Sequence, residues 1–247
     1  MQRAAIQITG ELRKHRDWLG IDWASSKEDS VRILDYACGT GLVSRAFVPY
    51  ATDLRGIDIS SSMVGEYNRR CSEVPDTENP LNASMHAIVG DLCDPAGVAD
   101  DLMDQELFDF DVAIVGMGFH HFEHLELSIR RLKERVKKGG VVVIIDGAGP
   151  AERFPMANGH GQSHHHTHSS GTTIEQISPG KDVQAVFSAA APSVPHKHGF
   201  SRADMEKLFT AAGCTDFDLV MLKEPIVFGD GEGALKQKAF IARGRRA

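Results

Sequence analysis

The strongest constraint on the fold is the alternation of short apolar runs, rich in β-branched residues, with stretches of helical periodicity. Seven runs have the length and composition of strands: 31–37, 54–59, 85–89, 108–116, 141–145, 216–222 and 235–243. Such alternation is typical of an α/β fold, in which a mostly parallel sheet carries helices on both faces.

Three stretches have apolar residues at helical spacing. The clearest covers residues 122–136, and the two lysines and two glycines of 137–140 are typical of a helix end. A second helix begins at Ser201, where Asp204 has the spacing of a capping box. A weaker stripe over residues 3–20 predicts a helix laid over the front of the sheet.

The 247 residues are enough for one domain with a substantial apolar core, and no internal repeat divides them. We expect a single domain, 1–247, with an N-terminal helical lid at residues 1–30. Residues 147–200 are rich in His, Gly, Pro and Ser and have little periodicity. They predict an insertion, or a loop that covers the substrate.

Charge and cysteine content exclude several classes of protein. The chain has 27 Lys and Arg against 34 Asp and Glu, a net charge of −7, which argues against binding nucleic acid or an anionic membrane. The basic run at 130–138 is expected to be a solvated helix face.

The four cysteines form no CxxC pair, and no apolar run is long enough to span a bilayer. We therefore expect a cytoplasmic protein with no signal peptide.

A Gly-x-Gly turn follows the first apolar run. The run ends at Asp35, and the turn is formed by Gly39 and Gly41 before a helix begins. Glycines allow a sharp turn and let a ligand approach the backbone and the start of the helix. The third small residue of a dinucleotide fingerprint is replaced by Ser44, so the turn alone is weak support for a nucleotide site.

Acidic residues also end the next two runs. Asp58 lies at the end of the second run, and Asp91 comes just after the third. A carboxylate can accept two hydrogen bonds from a ribose diol, and it can accept one from an exocyclic amine. Three acids at consecutive strand ends predict a nucleoside site at the carboxyl edge of the sheet.

Together these motifs resemble the class I S-adenosylmethionine-dependent methyltransferases. Motifs I to III, the fourth-strand motif and the helix-to-fifth-strand signature correspond to residues 35–41, 56–60, 90–92, 108–115 and 131–144. Lys138 stands where that signature usually has proline. The resemblance covers residues 31–146 and resumes in the closing strands.

The resemblance implies a single Rossmann-like seven-stranded sheet of order 3-2-1-4-5-7-6, with strand 7 antiparallel, and S-adenosyl-L-methionine as cofactor. Motif I would surround the methionine part, motif II would bind the ribose and motif III the adenine, with the end of strand four beside the sulfonium. The cofactor-binding residues it implies are Asp35, Ala37, Cys38, Gly39, Gly41, Asp58, Ile59, Met63, Asp91, Leu92, Gly116 and Met117. Cys38 is expected to fill the turn rather than act as a nucleophile, and Asp109 and Asp111 to be surface residues.

Two adjacent histidines follow strand four. His120 and His121 would lie at the mouth of the site, and histidine can deprotonate a hydroxyl or thiol near neutral pH. One of them is a candidate catalytic base. The alternative is a structural role, in which a histidine caps the next helix or packs under the cofactor loop.

Five histidines fall within residues 160–168 and raise the question of a metal. Their Gly and Ser neighbours, and the lack of a nearby Cys or acid, favour a loop with incidental metal affinity. No metal site is predicted. The segment 196–200 leads into the last helix and is a candidate for lining the acceptor pocket.

The resemblance implies a methyltransferase that acts on a small organic acceptor, with O- or C-methylation favoured. The oligomeric state stays open. A protein methyltransferase is the alternative, although no Asn-Pro-Pro-Tyr-type motif follows strand four. A catalytically inactive interaction subunit of the same fold is the other.

Overall fold

Seven strands in the described part of the chain form one sheet. The computed structural model describes residues 2–149, 195–196, 198–231 and 233–247. The strands of this sheet are β1 (Arg32–Tyr36), β2 (Asp53–Asp58), β3 (Ser84–Val89), β4 (Phe110–Gly116), β5 (Val136–Gly147), β6 (Thr215–Met221) and β9 (Ala239–Arg245). A separate hairpin is formed by β7 (Ile226–Phe228) and β8 (Leu235–Gln237).

The order of the sheet is β3-β2-β1-β4-β5-β9-β6. The first five strands in this order are parallel, and β9 runs antiparallel to both of its neighbours. The predicted fold and strand order are therefore confirmed, with β9 as the predicted seventh strand. Because the five parallel strands point the same way, their carboxyl ends meet at one edge of the sheet.

Helices cover both faces of the sheet. They are α1 (Gln2–Lys14), α2 (Leu42–Phe47), α3 (Ser61–Cys71), α4 (Leu125–Arg135) and α5 (Arg202–Ala211). Successive residues of a strand face opposite sides, so Ile33 joins the buried cluster that contains α1 and α2, while Leu34 joins the one that contains α4 and α5. Because both faces of the sheet are buried, the parallel strands appear in the sequence as continuous apolar runs.

The start of α5 matches its prediction. The side chain of Ser201 accepts a hydrogen bond from the backbone N–H of Asp204, and the carboxylate of Asp204 accepts one from the backbone N–H of Ser201. This capping box satisfies two N–H groups at the start of the helix.

Three expectations about the elements were wrong. The helix predicted over residues 122–136 begins only at Leu125. The segment 137–140 was expected to end this helix, but it lies inside β5, because the backbone is already extended at Val136. The single run expected over 235–243 is divided, because β8 pairs with β7 while β9 joins the main sheet.

Asp111 was also predicted wrongly as a surface residue. It is buried, and its carboxylate accepts a hydrogen bond of 2.8 Å from the backbone N–H of Arg32 and contacts the ammonium group of Lys137. These two partners explain the burial of a charged side chain within a strand. Asp109 is exposed, as expected.

Candidate cofactor and acceptor site

The turn after β1 has the backbone that its glycines predict. Gly39 and Gly41 have φ angles of 50° and 80°, and Ala37 also has a positive φ, 54°. A Cβ added at Gly39 would meet no atom within 4 Å, whereas one at Gly41 would lie 2.8 Å from the ring of Tyr67. The first glycine thus borders open space, and the second allows close packing of the turn on α3.

Asp35 lies under this turn. Its carboxylate accepts hydrogen bonds from the backbone N–H of Ser44 (3.0 Å) and from the Ser44 hydroxyl (2.7 Å), and that hydroxyl accepts one from Tyr67 (2.8 Å). Only 1% of Asp35 is exposed, and this burial raises the pKa of its carboxyl to about 7. The described contacts of Asp35 therefore hold the start of α2 against β1.

The end of β2 meets the same turn. The carboxylate of Asp58 accepts a hydrogen bond from the backbone N–H of Gly39 (2.8 Å) and another from the backbone N–H of Ser60 (2.9 Å). The next residue, Ile59, is 72% exposed, an unusual state for a large apolar side chain at a sheet edge. Met63, in the first turn of α3, is half-buried.

Asp91 lies beyond the end of β3 and has a partner that the sequence analysis did not identify. One of its carboxylate oxygens accepts a hydrogen bond from the hydroxyl of Tyr36 (2.8 Å) and another from the backbone N–H of Cys93 (2.7 Å). Asp91 is exposed, while the adjacent Leu92 is fully buried in the core. Tyr36 therefore fixes the orientation of the acid that follows β3.

The end of β4 packs closely against the first turn. Met117 has a positive φ of 56°, and its backbone N–H donates to the carbonyl of Ile145 (2.8 Å). A Cβ at Gly116 would overlap the side chain of Val43, and one at Gly118 would lie 3.3 Å from the Cβ of Ala37. Glycine at these positions allows the loops after β1 and β4 to approach each other.

His120 is held by a buried acid that the sequence analysis missed. Nδ1 of His120 lies 2.8 Å and 3.0 Å from the two carboxylate oxygens of Asp146, and the backbone N–H of His120 donates to one of them (3.1 Å). Asp146 is fully buried near the end of β5. The signal that identified the other acids, a carboxylate at the end of an apolar run, was present here too.

Two more histidines lie beside His120. The ring of His121 has its centroid 4.2 Å from that of His120, and burial, followed by the charge of His120, lowers the pKa of His121. The backbone N–H of His196 donates to the carbonyl of His120 (3.2 Å), and burial also lowers the pKa of His196. Residue 196 is therefore next to this loop, as the interpretation of segment 196–200 requires.

The predicted site residues fall into two groups along one edge of the sheet. Asp35 and Asp58 lie at the carboxyl ends of β1 and β2, and Asp91 follows β3, while Met117 and His120 follow β4. The histidines of 160–168 lie outside the described residues. Among the residues that the structure describes, no group of three or more His, Cys, Asp or Glu side chains is arranged to hold a metal ion. The described helices include none long and apolar enough to cross a membrane.

This fold and this edge of the sheet define a methyltransferase domain. A sequence profile of the methyltransferase domain family matches residues 11–219. The chain belongs to this family, which confirms the predicted class I S-adenosylmethionine-dependent methyltransferase, its class of enzyme and its cofactor.

Individual proteins resemble this chain over part of its length or at low sequence identity. An uncharacterized methyltransferase of Schizosaccharomyces pombe is 32% identical over 120 residues, which cover 49% of this chain and 40% of that protein. The YcgJ protein of Bacillus subtilis shares the fold with a TM-score of 0.57 at 14% identity, covering 97% of this chain and 98% of that one. Phosphoethanolamine N-methyltransferase 2 of Haemonchus contortus, in complex with S-adenosyl-L-methionine, has a TM-score of 0.56 at 13% identity, with 96% and 52% covered.

Proposed function

We propose that this chain transfers the methyl group of S-adenosyl-L-methionine to a small organic acceptor, at oxygen or carbon. The observation that supports it best is the hydrogen bond between the Gly39 backbone and the Asp58 carboxylate. It joins the glycine turn and the acid that ends β2, the two parts that a methionine chain and a ribose diol require, at one point of the sheet edge.

The residues present fit the cofactor. The open space at Gly39 accommodates the methionine part, the Asp58 carboxylate has lone pairs left for a diol, and the exposed Ile59 offers an apolar surface to adenine. We assign the cofactor to the residues that the sequence predicts, namely Asp35, Ala37, Cys38, Gly39, Gly41, Asp58, Ile59, Met63, Asp91, Leu92, Gly116 and Met117. Among them, Asp35 acts by holding Ser44 and the turn.

The cofactor supplies an electrophilic methyl group on a positively charged sulfur. The task of the chain is therefore to hold an acceptor atom in line with the methyl–sulfur bond and to exclude water. His120 and His121 follow β4 and are the candidates for accepting a proton from the acceptor. The contact between His120 and Asp146 favours His120.

A small acceptor is favoured over a protein. Among the described residues, His196 lies against the loop after β4, because its backbone N–H donates to the carbonyl of His120, and this segment supports the interpretation of 196–200 as part of an acceptor pocket. The Haemonchus contortus neighbour is by name a phosphoethanolamine N-methyltransferase, so in that protein the fold serves a small molecule. A cytoplasmic location stays a prediction.

The test is transfer of a labelled methyl group from S-adenosyl-L-methionine to a cell extract separated by size. We expect label in the small-molecule fraction with the wild-type protein and with Asp76→Asn, which changes an exposed acid in the loop before β3. The Asp58→Ala variant should transfer much less. Label in the protein fraction would support a protein methyltransferase, and cofactor binding without transfer would support an inactive interaction subunit.

A further inference from the structure

Asp146 contacts His120 in two ways. Its carboxylate lies within 3.0 Å of Nδ1 and also accepts the backbone N–H of the same residue. It accepts a further hydrogen bond from the backbone N–H of Gly147. One buried acid thus fixes both the loop after β4 and the orientation of the imidazole ring.

This contact determines which nitrogen of His120 is available. A carboxylate that faces Nδ1 requires a proton on that nitrogen, so in the neutral ring Nε2 carries the lone pair. The side chain of Asp146 is fully buried and that of His120 is 22% exposed. The acid is thus shielded from solvent, while part of the imidazole remains accessible at the sheet edge.

The same contact favours proton transfer. When Nε2 accepts a proton, the imidazole becomes positive, and a buried carboxylate at Nδ1 stabilises that charge. His121 differs, because no carboxylate contact fixes its ring among the described hydrogen bonds and ion pairs.

We infer that His120 is the catalytic base, that Asp146 is its positioning residue, and that the acceptor carries a weakly acidic proton on the oxygen or carbon that is methylated. This inference rests on the proposed function. The acceptor's proton passes to Nε2 of His120, and a lone pair on oxygen, or the pair left on carbon when its C–H bond breaks, forms the bond to the methyl carbon. The methyl–sulfur bond breaks and its electrons return to sulfur. The proton then leaves to water, and neutral S-adenosylhomocysteine is released.

This inference names the class of acceptor. Phenols, enols and enolisable carbonyl compounds release a proton of this kind, and they react faster when a base accepts that proton in the transition state. A carboxylate acceptor is already ionised at neutral pH, and a thioether has no such proton. Neither requires a base held by a buried acid.

The experiment uses S-adenosyl-L-methionine labelled with carbon-13 in the methyl group and a small-molecule cell extract, at several pH values. The chemical shift of the transferred methyl carbon identifies the atom to which it is attached. Asp146→Asn and His120→Gln are compared with the wild-type protein and with His124→Gln, which changes an exposed histidine just before α4. Cofactor affinity is measured for each variant, and it reports folding as well as binding.

We expect the methyl group on oxygen or carbon. Asp146→Asn and His120→Gln should lower transfer by about 10-fold or more while cofactor affinity changes less than about 2-fold. The deficit should shrink as pH rises, because the acceptor then ionises without a base. If Asp146→Asn does not fold, the pH profile of His120→Gln still tests the base.

Three outcomes would overturn the inference. A methyl group found only on nitrogen, sulfur or a carboxylate would refute the acceptor class, and of these results only the carboxylate would leave the proposed function intact. Wild-type transfer by both variants would refute the base. If the wild-type protein binds cofactor and transfers nothing, the proposed function fails and the inference fails with it.

Discussion

The backbone N–H of Gly39 and the carboxylate of Asp58 are joined by a hydrogen bond of 2.8 Å, although 19 positions separate them in the chain. The bond connects the turn after β1 to the end of β2. Because a second bond from Ser60 holds the other carboxylate oxygen, the acid has a fixed orientation before any ligand arrives. Fixed acceptors of this kind reduce the entropy lost on binding.

Asp58→Ala should weaken binding of S-adenosylhomocysteine by about 1.5–3 kcal/mol, the usual effect of losing a hydrogen-bonded charged partner. The loss should be smaller for an analogue that lacks the ribose hydroxyls, because the variant and the analogue remove the same interaction. Isothermal titration calorimetry of both ligands with both proteins measures this coupling. Equal losses for the two ligands would contradict the assignment to ribose.

The two glycines of the turn should respond differently to alanine. Both have positive φ, so each substitution should destabilise the protein by about 1–2 kcal/mol. Gly41→Ala should lower the free energy of unfolding more than Gly39→Ala does, because its Cβ would lie 2.8 Å from the ring of Tyr67. Urea denaturation measures the difference. Gly39→Ala places its Cβ in open space, so it should mainly lower cofactor affinity. Normal affinity in Gly39→Ala would place the cofactor elsewhere.

The order of the sheet was predictable through the resemblance to a known family, whereas the strands and the acids at 35, 58 and 91 follow from local patterns. Apolar periodicity marks the strands, and parallel strands bring their carboxyl ends together. The position of His120 followed from the same rule. The contact between His120 and Asp146 could not be predicted in this way, although Asp146 also ends an apolar run. It depends on how the loop after β4 packs on β5.

Two of the errors have a common physical cause, which is contact between segments distant in sequence. Asp111 alternates with apolar neighbours and looks like a surface residue, yet Arg32 and Lys137 stabilise it in the interior. Likewise, the extended run over 235–243 divides because its first part pairs with β7 and its second with β5 and β6. Neither partner can be identified from the local pattern.

Tyr36→Phe should weaken recognition of the adenine amine. The variant keeps the aromatic ring against Phe122 but removes the hydroxyl that donates to Asp91. We expect the preference for S-adenosylhomocysteine over its inosine analogue, which lacks that amine, to fall about 2- to 10-fold. Calorimetry with the two ligands measures the ratio. A lower stability with an unchanged ratio would show that Tyr36 supports the fold without orienting Asp91 for the cofactor.

Asp35→Asn should change how stability depends on pH. Burial raises the pKa of Asp35 from 3.8 to about 7, so the folded protein binds this proton more tightly than the unfolded chain does. Its contribution to stability is therefore fully present below pH 3.8 and is lost as the pH rises through about 7. Asparagine has no such proton, and its amide oxygen can still accept from Ser44.

The free energy of unfolding of Asp35→Asn, relative to the wild-type protein, should thus increase between pH 5 and pH 8. Urea denaturation at several pH values measures this difference, and the other titrating groups cancel because both proteins contain them. A difference that stays constant over this range would mean that the buried carboxyl is ionised throughout. The hydrogen bonds from Ser44 would then lower the pKa of Asp35 by more than burial raises it.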